Sequence, residues 1–305
     1  MLYAIAMRLL GLPFMLLALV TAAFLLVRII PGDPALLMAG ADATPEQVAA
    51  LTVRLGLDKS LLTQYLIYLG NVLTGDMGIS LRSGQPALGW ALDALRYSAT
   101  LAVVSMLIAI LVGVVLGVLA ALKRGTVLDT LIVVISLAGV SIPAYLSAML
   151  LILVFGVWMK LVPIAGATTP LHFVLPSLSV GLIMAGQLAR ITRSAMLEVL
   201  SQDYIRTAKA KGVSERIRIF KHGLRNAGIP ILSVAGEQFG SLFGAAVITE
   251  TIFAIPGLGR LLIEAINWRD YTLIQACIVV FGALIILVNL ATDIAYAIVD
   301  PRLRN

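Results

Sequence analysis

The sequence predicts an all-α protein, a polytopic membrane bundle of six transmembrane helices. Three observations lead there. The 305 residues are 60% hydrophobic and only 12% charged, with a mean hydropathy of +1.03, more apolar surface than a water-soluble domain can bury. The apolar residues are gathered into runs of about 18 or more with almost no charge, the length that crosses a bilayer as a helix. Within those runs apolar and polar residues do not alternate, which argues against the strands of a membrane barrel.

The first run covers residues 9–27, behind Arg8. Its small residues Ala22 and Ala23 give it some likeness to a secretion signal. The apolar run continues to Ile30, longer than a signal core of about 7–15 residues, so residues 1–30 read as a retained first span. Residues 31–96 are too long for a connector and read as an outer helical insert. There Thr44-Pro45-Glu46-Gln47 is a capping box with proline at the first helical position, and Val48, Leu51 and Leu55 follow at helical spacing. Leu62, Tyr65, Leu66, Leu69 and Leu73 mark a second amphipathic piece. Such a layer either stabilises the bundle or receives an external partner.

Residues 97–300 form the core, with spans at 97–122, 130–159, 171–189, 227–249 and 271–292, and residues 301–305 a tail. Pro143 predicts a kink in the third span. Gly113 and Gly117 predict a close helix contact, and Trp90, Trp158 and Trp268 suit anchoring at the membrane interface.

The net charge of +6 is first a statement about orientation, not about nucleic acid. Basic residues gather at Lys123 and Arg124, between Arg190 and Arg225, and at Arg302 and Arg304. The intervening loops are mixed or acidic, with Asp33, Asp42, Glu46, Asp58, Asp76 and Asp93 offsetting Arg54, Lys59, Arg82 and Arg96. Both termini and the basic loop therefore read as cytoplasmic. Cys277 is alone, so no disulfide forms within the chain. His172 and His222 lack metal-ligand spacing, and no metal is expected. The sequence has no G-x-x-x-x-G-K-[ST] loop to cradle a nucleotide phosphate, so neither a nucleotide cofactor nor enzymatic ATP hydrolysis is expected in this chain.

The cytoplasmic loop, residues 198–226, is well punctuated. Ser201 can cap a helix, Asp203 suits its positive first turn, Lys209 and Lys211 suit its negative last turn, and Gly212 can end it in the left-handed conformation. A short helix over 202–211 follows, and a second begins near Ser214 with Ile217, Phe220 and Leu224 on one face. One reading lays this basic segment on anionic headgroups. The other makes it a docking helix, tethered to spans at both ends and moving with them.

Glu237 lies well inside the fifth span, where an ionisable residue faces a protein interior or a wet cavity. It sits among Gly236, Gly240 and Gly244, beside Gln238. Two roles stay open: lining a pathway and meeting a substrate amine or cation, or pairing with a polar group of a neighbouring helix. Asn289 and Asp293 on the last span, with Arg190 and Arg193 on the fourth, read as a structural polar cluster. Pro256, Gly257 and Gly259 break helix before the last span and by themselves read as a surface turn.

Arg206-Thr207-Ala208-Lys209-Ala210-Lys211-Gly212, followed by His222-Gly223-Leu224-Arg225-Asn226-Ala227-Gly228-Ile229-Pro230, resembles the EAA loop of ABC importer permeases. The variant is that of the dipeptide, oligopeptide, nickel and glutathione group. The generic pattern opens Glu-Ala-Ala; here Arg206, Thr207 and Ala208 stand in those places. The resemblance covers nearly the whole chain: Pro31-Gly32-Asp33-Pro34, Leu55-Gly56-Leu57-Asp58, Gly75-Asp76-Met77-Gly78, Ser141-Ile142-Pro143, Glu250-Thr251-Ile252-Phe253, Pro256-Gly257-Leu258-Gly259-Arg260, Arg269-Asp270-Tyr271 and Asp300-Pro301-Arg302 recur in order.

The resemblance implies a type I ABC importer permease fold in a bacterial inner membrane. It implies a coupling helix formed by Asp203, Tyr204, Ile205, Arg206, Thr207, Ala208, Lys209, Ala210, Lys211 and Gly212, seated in a separate ATPase subunit. Glu237, Gln238, Gly240 and Gly244 stand as translocation-pathway candidates from their place in the fifth span, and the resemblance implies an outer gate at Pro256, Gly257 and Gly259. The implied partners are a second homologous permease, two ATP-binding subunits that hold ATP and Mg, an external solute-binding protein and membrane lipid, with no nucleic acid. Peptides or peptide-like solutes such as glutathione are the implied cargo, nickel or another small solute the runner-up. A self-contained secondary transporter is the competing class; it would need coupling carboxylates at mid-membrane or paired repeats.

Overall fold

A computed structural model describes residues 2–29, 35–36, 43–54, 56–80 and 82–299. The expectations placed on Pro31-Gly32-Asp33-Pro34, Leu55, Asp300-Pro301-Arg302 and Arg304 lie outside the described residues. The chain divides into two compact units. One comprises Ser98–Ile255 and Val288–Asn305, the other Leu2–Tyr97 and Pro256–Leu287.

Described in chain order, the helices are α1 (Leu2–Ile29), α2 (Pro45–Arg54), α3 (Leu61–Thr74), α4 (Ala87–Leu122), α5 (Val127–Ser141), α6 (Ala144–Leu151), α7 (Val174–Leu200), α8 (Asp203–Ala210), α9 (Glu215–Ile252), α10 (Leu258–Trp268) and α11 (Tyr271–Val299). Five of these are long and apolar enough to cross a membrane, and α5 with α6 makes a sixth crossing if the bent pair is one span.

That third span is broken rather than kinked: α5 and the run Ala144–Trp158 meet at 104°. Proline has no N–H and forces the preceding residue out of the helical region. Ile142 is extended at ψ 125° and Pro143 follows at ψ 137°, so the chain leaves the helix for two residues. Beyond α6 the helix widens into a π turn at Ile152–Trp158. The second span begins at Ala87, ahead of the expected Tyr97.

In the first unit α7 is the hub, packing against α5, α6 and α9. Glycines set how closely it is approached. A methyl added to Gly117 of α4 would lie 2.5 Å from the Ala189 carbonyl, and one on Gly113 2.7 Å from Leu188 Cβ. Gly181 and Gly186 of α7 meet the carbonyls of Ser105 and Ser136 in the same way. Backbone-to-backbone contact of this kind maximises dispersion where lipid removes the hydrophobic drive.

In the second unit, Ala87, Ala91 and Ala94 of α4 pack with Leu258, Leu261 and Ala265 of α10 and with Leu273, Ala276 and Cys277 of α11. Ser80 Oγ donates to Asp270 Oδ2 at 2.5 Å, and Asp270 Oδ1 accepts the Leu273 N–H at 3.1 Å, capping α11. Trp90 stacks on Trp268 with ring centres 6.0 Å apart.

The capping box before α2 forms: the Thr44 N–H donates to Gln47 Oε1 at 3.0 Å and the Gln47 N–H to Thr44 Oγ1 at 3.3 Å. On α3 the packed face differs from the expected one. Leu62, Leu66 and Leu73 are exposed, while Tyr65 and Tyr68 turn inward against Phe24. Hydrogen bonds from Tyr65 to Thr21 and from Arg28 to Gln64 draw that face to α1.

Candidate functional site: the α8 loop and polar groups of the bundle

The α8 loop is built from sharp stops at both ends. Helix α7 ends at Leu200, and Ser201 closes it by donating from Oγ to the Glu198 carbonyl at 2.7 Å. Ser201 therefore caps the preceding helix, and the extended Gln202 opens α8 instead. At the far end Gly212 sits at φ 76°, a conformation that favours glycine. The Val213 N–H then reaches back to the Ala208 carbonyl at 3.1 Å.

Of the α8 side chains Ile205 alone is buried; Asp203, Tyr204, Arg206, Thr207, Lys209, Ala210, Lys211 and Gly212 are exposed, and Ala208 half-buried. The Arg206–Asp203 pair, at 3.5 Å and almost wholly exposed, adds little to stability. The helix is held from the side by Asn226, whose Nδ2 donates to the Tyr204 hydroxyl at 3.0 Å and to the His222 carbonyl at 2.8 Å. Gly223 permits the close approach behind it, with Met196 Cε 3.2 Å from where a methyl would stand.

The segment after α8 is not a separate helix. From Glu215 it runs unbroken to Ile252, through a π stretch at Arg218–Leu224. The wider turn places Ile219, Gly223 and Ala227 inward, and leaves Ile217 and Phe220 exposed.

The polar residues at membrane depth separate. Glu237 stands on an exposed face of α9, while Gln238 is 6% exposed and, among the described residues, neither of its side-chain polar atoms has a hydrogen-bond partner. Gln238 borders a cavity of about 210 Å³ with Gln187 and Ser241. A methyl on Gly240 would lie 3.2 Å from Asn289 Oδ1, whereas Gly244 faces open space. Arg193 pairs with Asp129 of α5 in two parallel hydrogen bonds of 2.6 and 2.8 Å. The Gly125 N–H also donates to Asp129 at 3.0 Å.

Two corrections follow. Arg193 belongs to a pair with Asp129, which the sequence reading had not singled out. Glu237 is also not the only acid in the bundle: Glu250 is wholly buried and accepts a 2.5 Å hydrogen bond from Ser98 Oγ.

Pro256 is exposed but Gly257 and Gly259 are buried, so this is not a plain surface turn. Ala254 stands at φ 51°, the Ile255 N–H returns to the Glu250 carbonyl at 2.9 Å, and the extended Gly257 opens the amphipathic α10. His172 takes part in a local cap, its Nδ1 2.8 Å from Thr169 Oγ1. Among the described residues no three His, Cys, Asp or Glu side chains converge as a metal-ligand set.

The chain is thus a multi-pass α-helical protein with a short exposed helix between two long apolar ones. Comparison with known proteins names the family. The description "Binding-protein-dependent transport system inner membrane component" matches residues 113–305, and its N-terminal counterpart residues 1–114. The chain belongs to this family: it is a permease subunit of an ABC importer, of the peptide and glutathione group. It is 42% identical over 304 residues to the glutathione transport system permease protein GsiC of Salmonella typhimurium (strain LT2), covering 100% of this chain and 99% of that one. Identity to GsiC of Escherichia coli (strain K12) is 41% with the same coverage. In fold it is similar to the inward-facing MetNI methionine ABC transporter, with a TM-score of 0.58 at 19% identity over 70% of this chain and 98% of that one. An amino acid ABC transporter solved with histidines gives 0.51 at 14% identity, over 70% and 94%.

Proposed function

We propose that this permease forms one half of the translocation path for di- or oligopeptides or peptide-like solutes such as glutathione, and that α8 is its coupling helix. A second, homologous permease supplies the other half. Two ATP-binding subunits hold ATP and Mg and do the hydrolysis, and an external binding protein delivers the cargo. Both termini and the α8 loop face the cytoplasm. The carrying observation is the construction of α8: eight residues, stopped at both ends, with one buried anchor and the other side chains turned mostly outward. A short stiff helix tethered to α7 and α9 must move those spans when a partner moves it. The cargo reading is supported by the relatives, which are glutathione transport permeases. Gln238, with a buried amide lacking a partner beside Gln187, offers amide chemistry suited to a peptide on the pathway, and Glu237, Gly240 and Gly244 belong to the same stretch of α9. Pro256, Gly257 and Gly259 are the proposed outer gate.

The test is solute-stimulated ATP hydrolysis by the complex in proteoliposomes, comparing wild type with Gly212→Pro and Ala208→Glu. Proline cannot adopt φ 76°, so Gly212→Pro destroys the stop of α8. Peptide- and binding-protein-stimulated hydrolysis that both variants uncouple supports the reading. Stimulation by nickel or another solute instead of peptide overturns the cargo. Failure of any ATPase to associate overturns the importer mechanism and leaves a secondary transporter centred on Glu237.

A further inference from the structure

Arg28 lies in the last turn of α1, half-buried. Its Nη2 donates to Gln64 Oε1 at 2.6 Å and its Nη1 to the Phe24 carbonyl at 3.1 Å. The guanidinium carbon sits 3.4 Å from the centre of the Phe24 ring, a cation–π contact. Gln64 is itself pinned, with Nε2 donating to the carbonyls of Lys59 at 2.8 Å and Leu57 at 3.2 Å. The guanidinium plane is thus fixed in advance, as a binding group must be to act without reorganisation.

Among the described residues no carboxylate makes an ion pair with Arg28, and its Nε–H is buried without an acceptor. Among the same residues the Tyr68 hydroxyl is also buried without a partner. Burial pushes the Tyr68 phenol up to about 12, so it keeps its proton and remains a donor. Open donors in buried positions are costly. Both border a cavity of about 350 Å³ together with Lys59, Asn71 and Asp76, a size common among small-molecule sites. Asp76, held by the Gly78 N–H at 3.1 Å, supplies the opposite charge.

We propose that this cavity binds a small zwitterion carrying a carboxylate and an amino group, a free peptide or amino acid. The carboxylate is taken by Arg28 and Tyr68 and the amino group by Asp76. A fixed guanidinium matches a carboxylate through paired hydrogen bonds. Among described residues, the donors lacking a partner call for an oxyanion, and Asp76 on the same cavity lining offers a carboxylate to a ligand's amino group. The site is separate from the α8 coupling proposed above and does not depend on it. A phosphoethanolamine headgroup shares the chemistry, and the test separates the two sources.

The full chain, with the subunits that co-purify, is taken in maltoside micelles free of phospholipid, without ATP or binding protein. Binding of glycylglycine, glutathione and phosphoethanolamine is measured by titration calorimetry. Saturable glycylglycine or glutathione binding that weakens about tenfold or more in Arg28→Gln and Asp76→Asn, and about threefold or more in Tyr68→Phe, supports the site. Tyr68→Phe removes one hydroxyl and keeps the ring, so it remains informative if Arg28→Gln fails to fold. Absence of peptide binding overturns the proposal, as does binding that Tyr68→Phe and Arg28→Lys leave unchanged. Binding of phosphoethanolamine alone also overturns it and assigns the cavity to a lipid headgroup. Because no ATP is present, failure here is distinguishable from failure of the transport reading.

Discussion

Arg193 grips Asp129 with two parallel hydrogen bonds, Nε to Oδ1 and Nη2 to Oδ2, and so ties the start of α5 to the end of α7 that leads into the α8 loop. Asp129 is almost fully buried and Arg193 largely so. The same carboxylate accepts the Gly125 N–H and sits in the first turn of α5, where a negative charge is favoured. The turn at 123–126, helix α5 and helix α7 are therefore held at one point, on the covalent route from α8 into the bundle.

Breaking that point from one side leaves a poorly solvated charge without its partner. Asp129→Asn is expected to destabilise the fold, read as a fall in the unfolding midpoint of the detergent-purified protein. Removing both charges in Asp129→Asn with Arg193→Gln is expected to recover part of the loss. A single variant as stable as wild type would show that the pair contributes nothing.

The glycines of α4 and α9 make opposite predictions. Gly117→Ala drives a methyl into the Ala189 carbonyl and Thr192 Cβ, each 2.5 Å away. Backbone must shift, at a cost of about 1–3 kcal/mol. Gly244→Ala meets nothing within 4 Å among the described residues, and alanine is about 1 kcal/mol the better helix former. The first variant should lose stability and the second hold or gain it; thermal unfolding of the two side by side decides.

Glu250 is a buried acid whose hydrogen-bond partners matter more than its charge. Glu250→Gln keeps an acceptor for Ser98 and is expected to fold. Glu250→Leu takes this acceptor from the Ser98 hydroxyl, and Ser98→Ala takes this donor from the carboxyl, each at about 1 kcal/mol. Equal stability of Glu250→Gln and Glu250→Leu would show that the Ser98 contact carries no weight.

What the sequence made legible was local or periodic. The capping box at Thr44–Gln47, the left-handed stop at Gly212 and the close packing of Gly113 and Gly117 each rest on a few neighbouring residues, and all appear. What it hid depends on residues far apart. Asp129 and Arg193 are 64 positions apart, and Ser98 and Glu250 are 152 apart. Next to Pro256 and Gly257, Glu250 reads as part of a loop, and Ser98, a partner of the buried carboxyl, is far away in the sequence. Pro143 announced a bend, but not whether surrounding groups would keep the helix going around it; they do not. The face of α9 was misread at Ile217 and Phe220 because a π turn, invisible in spacing rules written for 3.6 residues per turn, rotates the chain after Arg218.

Asp270 gives the sharpest ordering of variants, because its two oxygens do different work. Oδ1 accepts the Leu273 N–H and caps α11. Oδ2 accepts the Ser80 hydroxyl at 2.5 Å and, more weakly, the Arg82 N–H at 3.4 Å, joining segments 190 positions apart. Asp270→Ala loses both and leaves Ser80, itself wholly buried, without this acceptor. A lost cap costs about 1 kcal/mol and a stranded hydroxyl about 1–3 kcal/mol, so the sum is expected near 3 kcal/mol. Asp270→Asn keeps the cap if its oxygen faces Leu273. Its amide then faces Ser80, whose hydroxyl can turn to accept, and the Arg82 N–H, which cannot. Asp270→Asn should therefore fall between wild type and Asp270→Ala, and Ser80→Ala near Asp270→Asn. Hydrogen exchange at the first turn of α11 separates the two roles. It should quicken in Asp270→Ala and stay slow in Ser80→Ala, and equal exchange in both would mean that the cap and the cross-link are not separable functions of this carboxylate.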